Sequence, residues 1–257
     1  METVTSQDRT TLAFDRLGQG PPVVLVCGGS VDRTADASIA QELASDFTVL
    51  NYDRRGRGDS GDTLPYAIER EVEDIEAVIE AAGGSANLWG SSSGAVLAMI
   101  ATASGAPVDK LALWEPPFIL DENARPPADQ VEQYERMIAE GRRGDAAEYF
   151  MSKVVGMPPE FVADARKQPW WAGQEAIAHT LAYDARIMGD YSIPAETAAA
   201  VKPPTLVLAG GADMPFMRET AHALANAIPD GQVRFLGQGH NVDPTVLAPA
   251  LKEFFSS

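Results

Sequence analysis

The sequence predicts an α/β chain with a mostly parallel sheet and helices on both faces. Three observations carry this. Short, continuous apolar or β-branched runs recur along the chain, of the kind that strands covered on both faces require. Stretches of helical periodicity separate them, as crossover connections demand. One run feeds a serine flanked by glycines straight into an apolar helical pattern.

Residues 2–5 and 11–15 read as two short strands joined by the polar turn 6–9, a hairpin at a sheet edge. Residues 23–27, Val-Val-Leu-Val-Cys, read as a doubly covered strand. Gly28-Gly29-Ser30 ends it. These glycines either leave backbone N–H groups free at a strand's carboxyl end, where open α/β sheets bind ligands, or make a plain tight turn. A helix follows at 37–45 and a strand at 48–52. The loop 53–60 holds three arginines, but its glycines match neither dinucleotide nor P-loop order, so it reads as a glycine turn pinned by Asp–Arg pairs. Over 66–82, Ile68, Val72, Ile75, Val78 and Ile79 fall at helical spacing, and Gly83-Gly84 closes the helix.

The strand at 86–89 runs into Gly90-Ser91-Ser92-Ser93-Gly94 and an alanine-rich helix over 95–103. A nucleophile on a sharp strand-to-helix turn needs glycine two residues either side, because neighbouring backbones approach closely there. The turn sets the Ser92 hydroxyl at a helix N-terminus, whose free N–H groups favour developing negative charge.

After a strand at 110–114, ending in Glu115-Pro116-Pro117, the alternation stops. Helices at 128–140, 145–155, 159–167 and 173–188 predict a helical cap insertion over 118–201, set into a core of 1–117 and 202–257. Trp170, Trp171, Tyr183 and Met188 are its candidates for an apolar substrate pocket, with packing of the insertion's own core as the alternative. The alternation resumes with a strand at 204–209, a helix at 217–228, a strand at 232–236 and a helix at 245–255. Asp213 follows the first of these strands and His240 the second, in the loop Gly237-Gln238-Gly239-His240.

A serine needs a base to remove its proton, and the base needs a carboxylate to fix its tautomer. Of the three histidines, His179 and His222 fall inside helices. His240 sits at a strand end. The order Ser92, Asp213, His240 fits this motif class.

These residues resemble the α/β-hydrolase superfamily, in its esterase, lipase and haloperoxidase-like branch, over nearly the whole chain. The resemblance implies Ser92 as nucleophile, His240 as general base and acid, Asp213 as the orienting carboxylate, and the N–H groups of Gly29 and Ser93 as oxyanion hole. Glu115 is the reserve carboxylate. Cys27 stands where relatives carry the histidine of a His-Gly pair. The implied activity is hydrolysis of a small to medium carboxylic ester, lactone or thioester through an acyl-enzyme, with no cofactor and no metal. The alternatives are a non-hydrolytic lyase, cofactor-free haloperoxidase or natural-product cyclase, or a non-catalytic ligand-binding relative.

Among 257 residues the formal charge is −17, which argues against a nucleic-acid partner, while the small-molecule substrate is what the resemblance implies. Cys27 is the only cysteine, which excludes an intrachain disulfide. No apolar run reaches membrane-spanning length and the first ten residues lack an apolar signal core, so the expected location is cytoplasmic, away from membranes. A homo-oligomer is left open.

Overall fold

A computed structural model describes residues 1–210, 215–237 and 239–257. The expected carboxylate Asp213 and the loop residue Gln238 lie outside the described residues. Eight strands form one sheet in the order β1-β2-β4-β3-β5-β6-β7-β8. β1 (Glu2–Thr5) and β2 (Thr11–Leu17) are the antiparallel edge, and β2 also pairs antiparallel with β4 (Thr48–Tyr52). β3 (Pro22–Val26), β5 (Ala86–Ser91), β6 (Val108–Trp114), β7 (Thr205–Ala209) and β8 (Gly231–Phe235) are parallel to β4 or to one another.

The apolar runs have no polar alternation because both pleat faces are covered. In β3, Val24 and Val26 enter one core while Val23 and Leu25 enter the other. β6 divides likewise, with Leu111 and Leu113 on the first side and Ala112 and Trp114 on the second. The first core is closed by α2 (Ile68–Ala82), α3 (Ser93–Ala103) and α10 (Pro215–Ala227), the second by α1 (Ala37–Leu43) and α11 (Pro244–Ser256). α3 is buried from Ser93 through Met99, which explains a helix with almost no polar face. No helix among the described residues is long and apolar enough to cross a membrane.

Between β6 and β7 run α4 (Gln130–Ala139), α5 (Arg143–Tyr149), α6 (Pro159–Ala165), α7 (Trp171–Ile177), α8 (Leu181–Met188) and α9 (Ala195–Ala200). The single helix expected over 173–188 is divided by a 3-10 turn at Ala178–Thr180. The division is stabilised by Arg143, whose guanidinium donates to the carbonyls of Glu175 and Ala176 at the end of α7. α5 continues as a π-helix over Phe150–Val154. α9 escaped notice because six residues, mostly alanine, show no apolar stripe. The insertion does not pack by itself throughout, since Ile187, Met188, Tyr191, Ala198 and Val201 join the first core of the sheet.

The arginine loop after β4 is pinned by ion pairs. Arg54 makes a two-pronged pair with Glu71 at 2.8 and 2.9 Å, Arg55 pairs with Asp74 and Asp8, and Asp53 accepts from the N–H groups of Arg33 and Asp59. Gly58, at φ +52°, is required there, because a Cβ would stand 2.1 Å from the Asp53 carboxylate. Asp184 on α8 completes the network, accepting from Arg54 at 2.9 Å and Arg57 at 2.7 Å. Burial pushes its carboxyl up, but the Arg57 and Arg54 guanidinium groups and the Ser93 hydroxyl hold it below the ordinary range. Asp184→Ala leaves the Arg57 guanidinium buried without a carboxylate, and should lower stability by about 3–5 kcal/mol in chemical denaturation.

Candidate active site

The carboxyl ends of β3, β5, β6, β7 and β8 meet along one edge of the sheet, as the parallel registers dictate. Ser92 follows β5 with φ 53° and ψ −126°, a left-handed conformation rare for a residue with a side chain. Its neighbours permit the turn. A Cβ on Gly90 would lie 2.5 Å from the Gly94 carbonyl oxygen, and one on Gly94 would lie 2.3 Å from that of Val26. The Ser92 N–H donates to the Trp114 carbonyl at 2.9 Å, fixing the elbow to β6. Ser93 opens α3, so its N–H has no acceptor within the helix.

The Gly28-Gly29 loop faces this elbow, with Gly28 so close that an added Cβ would lie 3.2 Å from the Ser92 Cβ. Arg57 Nη1 donates to the Gly28 carbonyl at 2.5 Å and to that of Val31 at 3.2 Å. The Gly28 carbonyl and the Gly29 N–H belong to one trans peptide plane and point in opposite directions. Holding the first therefore aims the second away from Arg57. Asp184 accepts the Ser93 hydroxyl at 2.8 Å as well as Arg57, so one buried carboxylate anchors both the glycine loop and the first residue of α3. Cys27 is fully buried and its thiol, pushed up to about 12 by that burial, is a packing group.

Glu115 follows β6 as Ser92 follows β5, and it too is left-handed at φ 44°. It is 3% exposed, and its Oε1 accepts from the Gly210 N–H at the end of β7 at 2.8 Å. Its Oε2 lies 2.5 Å from His240 Nδ1. Trp114 Nε1 donates to the His240 carbonyl at 3.1 Å, tying the loop after β8 to β6. With Nδ1 engaged by Glu115, Nε2 is the imidazole nitrogen left for other work.

His240 and Ser92 line one cavity of about 530 Å³. Among the described residues the Ser92 hydroxyl makes no hydrogen bond, so serine and imidazole share a chamber without yet being joined. Such bonds commonly tighten only when substrate arrives. Gly28, Gly29, Trp114 and Leu247 contribute from the sheet side, and Phe150, Met151, Val155, Met157, Trp170 and Gln174 from the helical insertion. The π-helix places Phe150 and Met151 on that wall. Gln174 donates to the Ser30 carbonyl at 3.2 Å and accepts the Ser30 hydroxyl at 2.6 Å, latching α7 to the glycine loop.

Of the four expected pocket residues, Trp170 lines this cavity and the other three stand elsewhere. Trp171 packs inside the insertion with Ala147, Met151, Val162 and Ala165. Tyr183 stacks on Tyr66 at 3.8 Å and donates to Asp62 in a separate cleft, and Met188 enters the first core of the sheet. Trp171 opens α7 and meets α5 and α6 within the insertion, while α8 lies beside α3 and the arginine network, so Met188 meets the sheet core rather than the chamber.

Asp36 was not anticipated, because an aspartate ahead of a helix reads as a cap. It stands at the N-cap of α1, yet its side chain makes no capping bond, and it lines the Ser92 cavity. Burial alone raises its carboxyl to about 7. The folded state thus holds this proton to higher pH than the unfolded chain does. Stability is fully present below the ordinary carboxylate value of 3.8 and is lost as pH rises to about 7. That cost is on the order of 4 kcal/mol above pH 7. Asp36→Asn should therefore raise the melting temperature by about 5–10 °C at pH 8 and leave it unchanged at pH 4, as calorimetry would show.

A doubly wound sheet with a serine elbow after β5 and a carboxylate-bound histidine after β8 defines the α/β-hydrolase class of proteins. The comparisons agree: residues 23–250 match the model of the Alpha/beta hydrolase family, and the chain belongs to that family. It is 51% identical to an alpha/beta hydrolase from Sphaerobacter thermophilus DSM 20745, with 99% of this chain and 100% of that one covered at a TM-score of 0.92. A thermophilic esterase from Thermogutta terrifontis is 26% identical with a TM-score of 0.75, covering 99% of this chain and 97% of that one. An uncharacterized hydrolase of Bacillus subtilis (strain 168), YraK, is 35% identical over 86 residues, which are 32% of each chain. The chain therefore matches about a third of that relative's length.

Proposed function

We propose that the protein hydrolyses small to medium carboxylic esters, lactones or thioesters through an acyl-enzyme on Ser92. One observation carries this reading: a serine held at a strained elbow shares a chamber with a histidine whose Nδ1 is bound by the buried carboxylate of Glu115. The esterase from Thermogutta terrifontis, similar in fold over nearly its whole length, supports ester chemistry.

In this mechanism the Ser92 oxygen attacks the carbonyl carbon as His240 Nε2 takes its proton. The carbonyl π pair moves to oxygen, where the N–H groups of Gly29 and Ser93 receive it, each worth roughly 3 kcal/mol in the transition state. The tetrahedral centre collapses, and the leaving alcohol or thiol takes the proton back from His240. Water then attacks the acyl-enzyme with His240 again as base, releasing the acid and restoring Ser92. Glu115 holds the imidazole tautomer throughout. Asp213, the carboxylate expected from chain order, has no part in this scheme. The helical insertion acts as a cap, contributing Phe150, Met151 and Trp170 to the chamber wall. A net charge of −17 argues against a nucleic-acid partner.

A fluorophosphonate tests this. The expected result is a single adduct on Ser92 in the native protein, none in Ser92→Ala and a much slower one in His240→Ala, read by intact mass and peptide mapping. An unlabelled Ser92 in folded protein contradicts the proposal.

A further inference from the structure

The chamber wall carries a group that the acyl-transfer scheme does not use. Asp36 is only 8% exposed, and its Oδ2 is buried with no hydrogen-bond partner among the described residues. Asp32, four residues earlier, is extended and accepts from the Thr34 N–H in the ordinary capping manner, whereas Asp36 lies at φ −97° and ψ 4° and makes no such bond. Asp36 forgoes that bond and lines the cavity instead.

A buried carboxylate without a protein partner is costly, and a ligand that supplies the missing donor relieves that cost. The other lining residues indicate which donor. None of the described lining residues is Lys or Arg, and the walls near the chamber carry Trp89, Trp114, Phe150 and Trp170. An anionic substrate end finds no cation there. A purely apolar end fills the volume but leaves Asp36 unpaired. A protonated amine satisfies the carboxylate by a charge-assisted hydrogen bond and is attracted by the aromatic faces as well. The overall charge of −17 also draws cations towards the cavity mouth.

We propose that Asp36 is a specificity-determining residue that binds the ammonium group of an amine-bearing ester or lactone whose carbonyl lies at Ser92. This deepens the hydrolase reading above and rests on it. Asp36 touches the remote end of the substrate and none of the reacting atoms. Binding energy gained there holds the carbonyl at the elbow, so its loss appears in kcat/KM for amine-bearing substrates above all.

Two isosteric esters make the test, p-nitrophenyl 6-aminohexanoate and p-nitrophenyl heptanoate, which differ only in an ammonium replacing a terminal methyl. In the native enzyme at pH 8, kcat/KM for the amino ester should exceed that for heptanoate at least tenfold. In Asp36→Asn that ratio should fall to about one. Protection of the native protein against fluorophosphonate gives a second readout that needs no variant. Hexylammonium should protect Ser92 at concentrations at least tenfold below those of hexanol. Labelled Ser92 with heptanoate equal or preferred, or with hexylammonium and hexanol protecting alike, overturns the amine site while leaving the hydrolase reading intact. Unlabelled Ser92 with neither ester cleaved overturns both.

Discussion

Replacing Ser92 by alanine should lower kcat for ester hydrolysis by about 10⁶-fold, because a relay that has lost its nucleophile retains only what the oxyanion donors and binding supply. The fold should survive. The Ser92 side chain makes no hydrogen bond among the described residues, and the elbow is held by its own N–H to the Trp114 carbonyl. Stability supplies a second readout. Ser92 sits at φ 53°, where any Cβ is strained at a cost of roughly 1–3 kcal/mol. Ser92→Gly should be as inactive as Ser92→Ala but more stable, with a melting temperature higher by about 2–8 °C. An elbow that gained nothing from glycine would not be storing strain for the sake of the hydroxyl.

The second large effect concerns the carboxylate. Glu115→Gln keeps the shape of the side chain but removes the charge that fixes the His240 tautomer, and kcat should fall by about 10⁴-fold. Asp213→Asn should cost less than tenfold. The contrast depends on the observed geometry, in which Glu115 Oε2 contacts Nδ1 while Oε1 is occupied by the Gly210 N–H. Both orientations of the carboxylate are thereby set. A steep loss in Asp213→Asn with a mild one in Glu115→Gln would restore the chain-order assignment and make Glu115 a structural tie between β6 and β7.

The sheet was legible because its strands are buried on both faces, and such strands must be apolar without interruption. Val23 to Val26 could hardly have been anything else. The elbow was legible because two glycines are forced by backbone approach, at distances that leave no room for a Cβ. His240 stood out by its place after a strand. What sequence could not supply was pairing across long separations. Glu115 lies 125 residues from His240 and 95 from Gly210, so sequence could name it only as the reserve carboxylate. Its signal was there in the parallel with Ser92, since each follows directly on a central strand. Tyr183 and Met188 looked like pocket residues because apolar composition does not say which neighbour a helix face will meet. Asp36 was hidden for the opposite reason. Its position suits a common local role that the side chain does not perform, and only burial reveals it.

The three loops that converge on the Ser92 chamber are central to all of this, and the proposed covalent acyl-enzyme depends on their convergence. Rapid quench of the native enzyme with p-nitrophenyl heptanoate, followed by intact mass measurement, tests it. The account predicts a burst of p-nitrophenolate matched by a mass increase of one heptanoyl group, mapped to Ser92 and absent from His240→Ala on the same timescale. Turnover with no acyl adduct on Ser92, or an adduct that forms equally fast without His240, would contradict it.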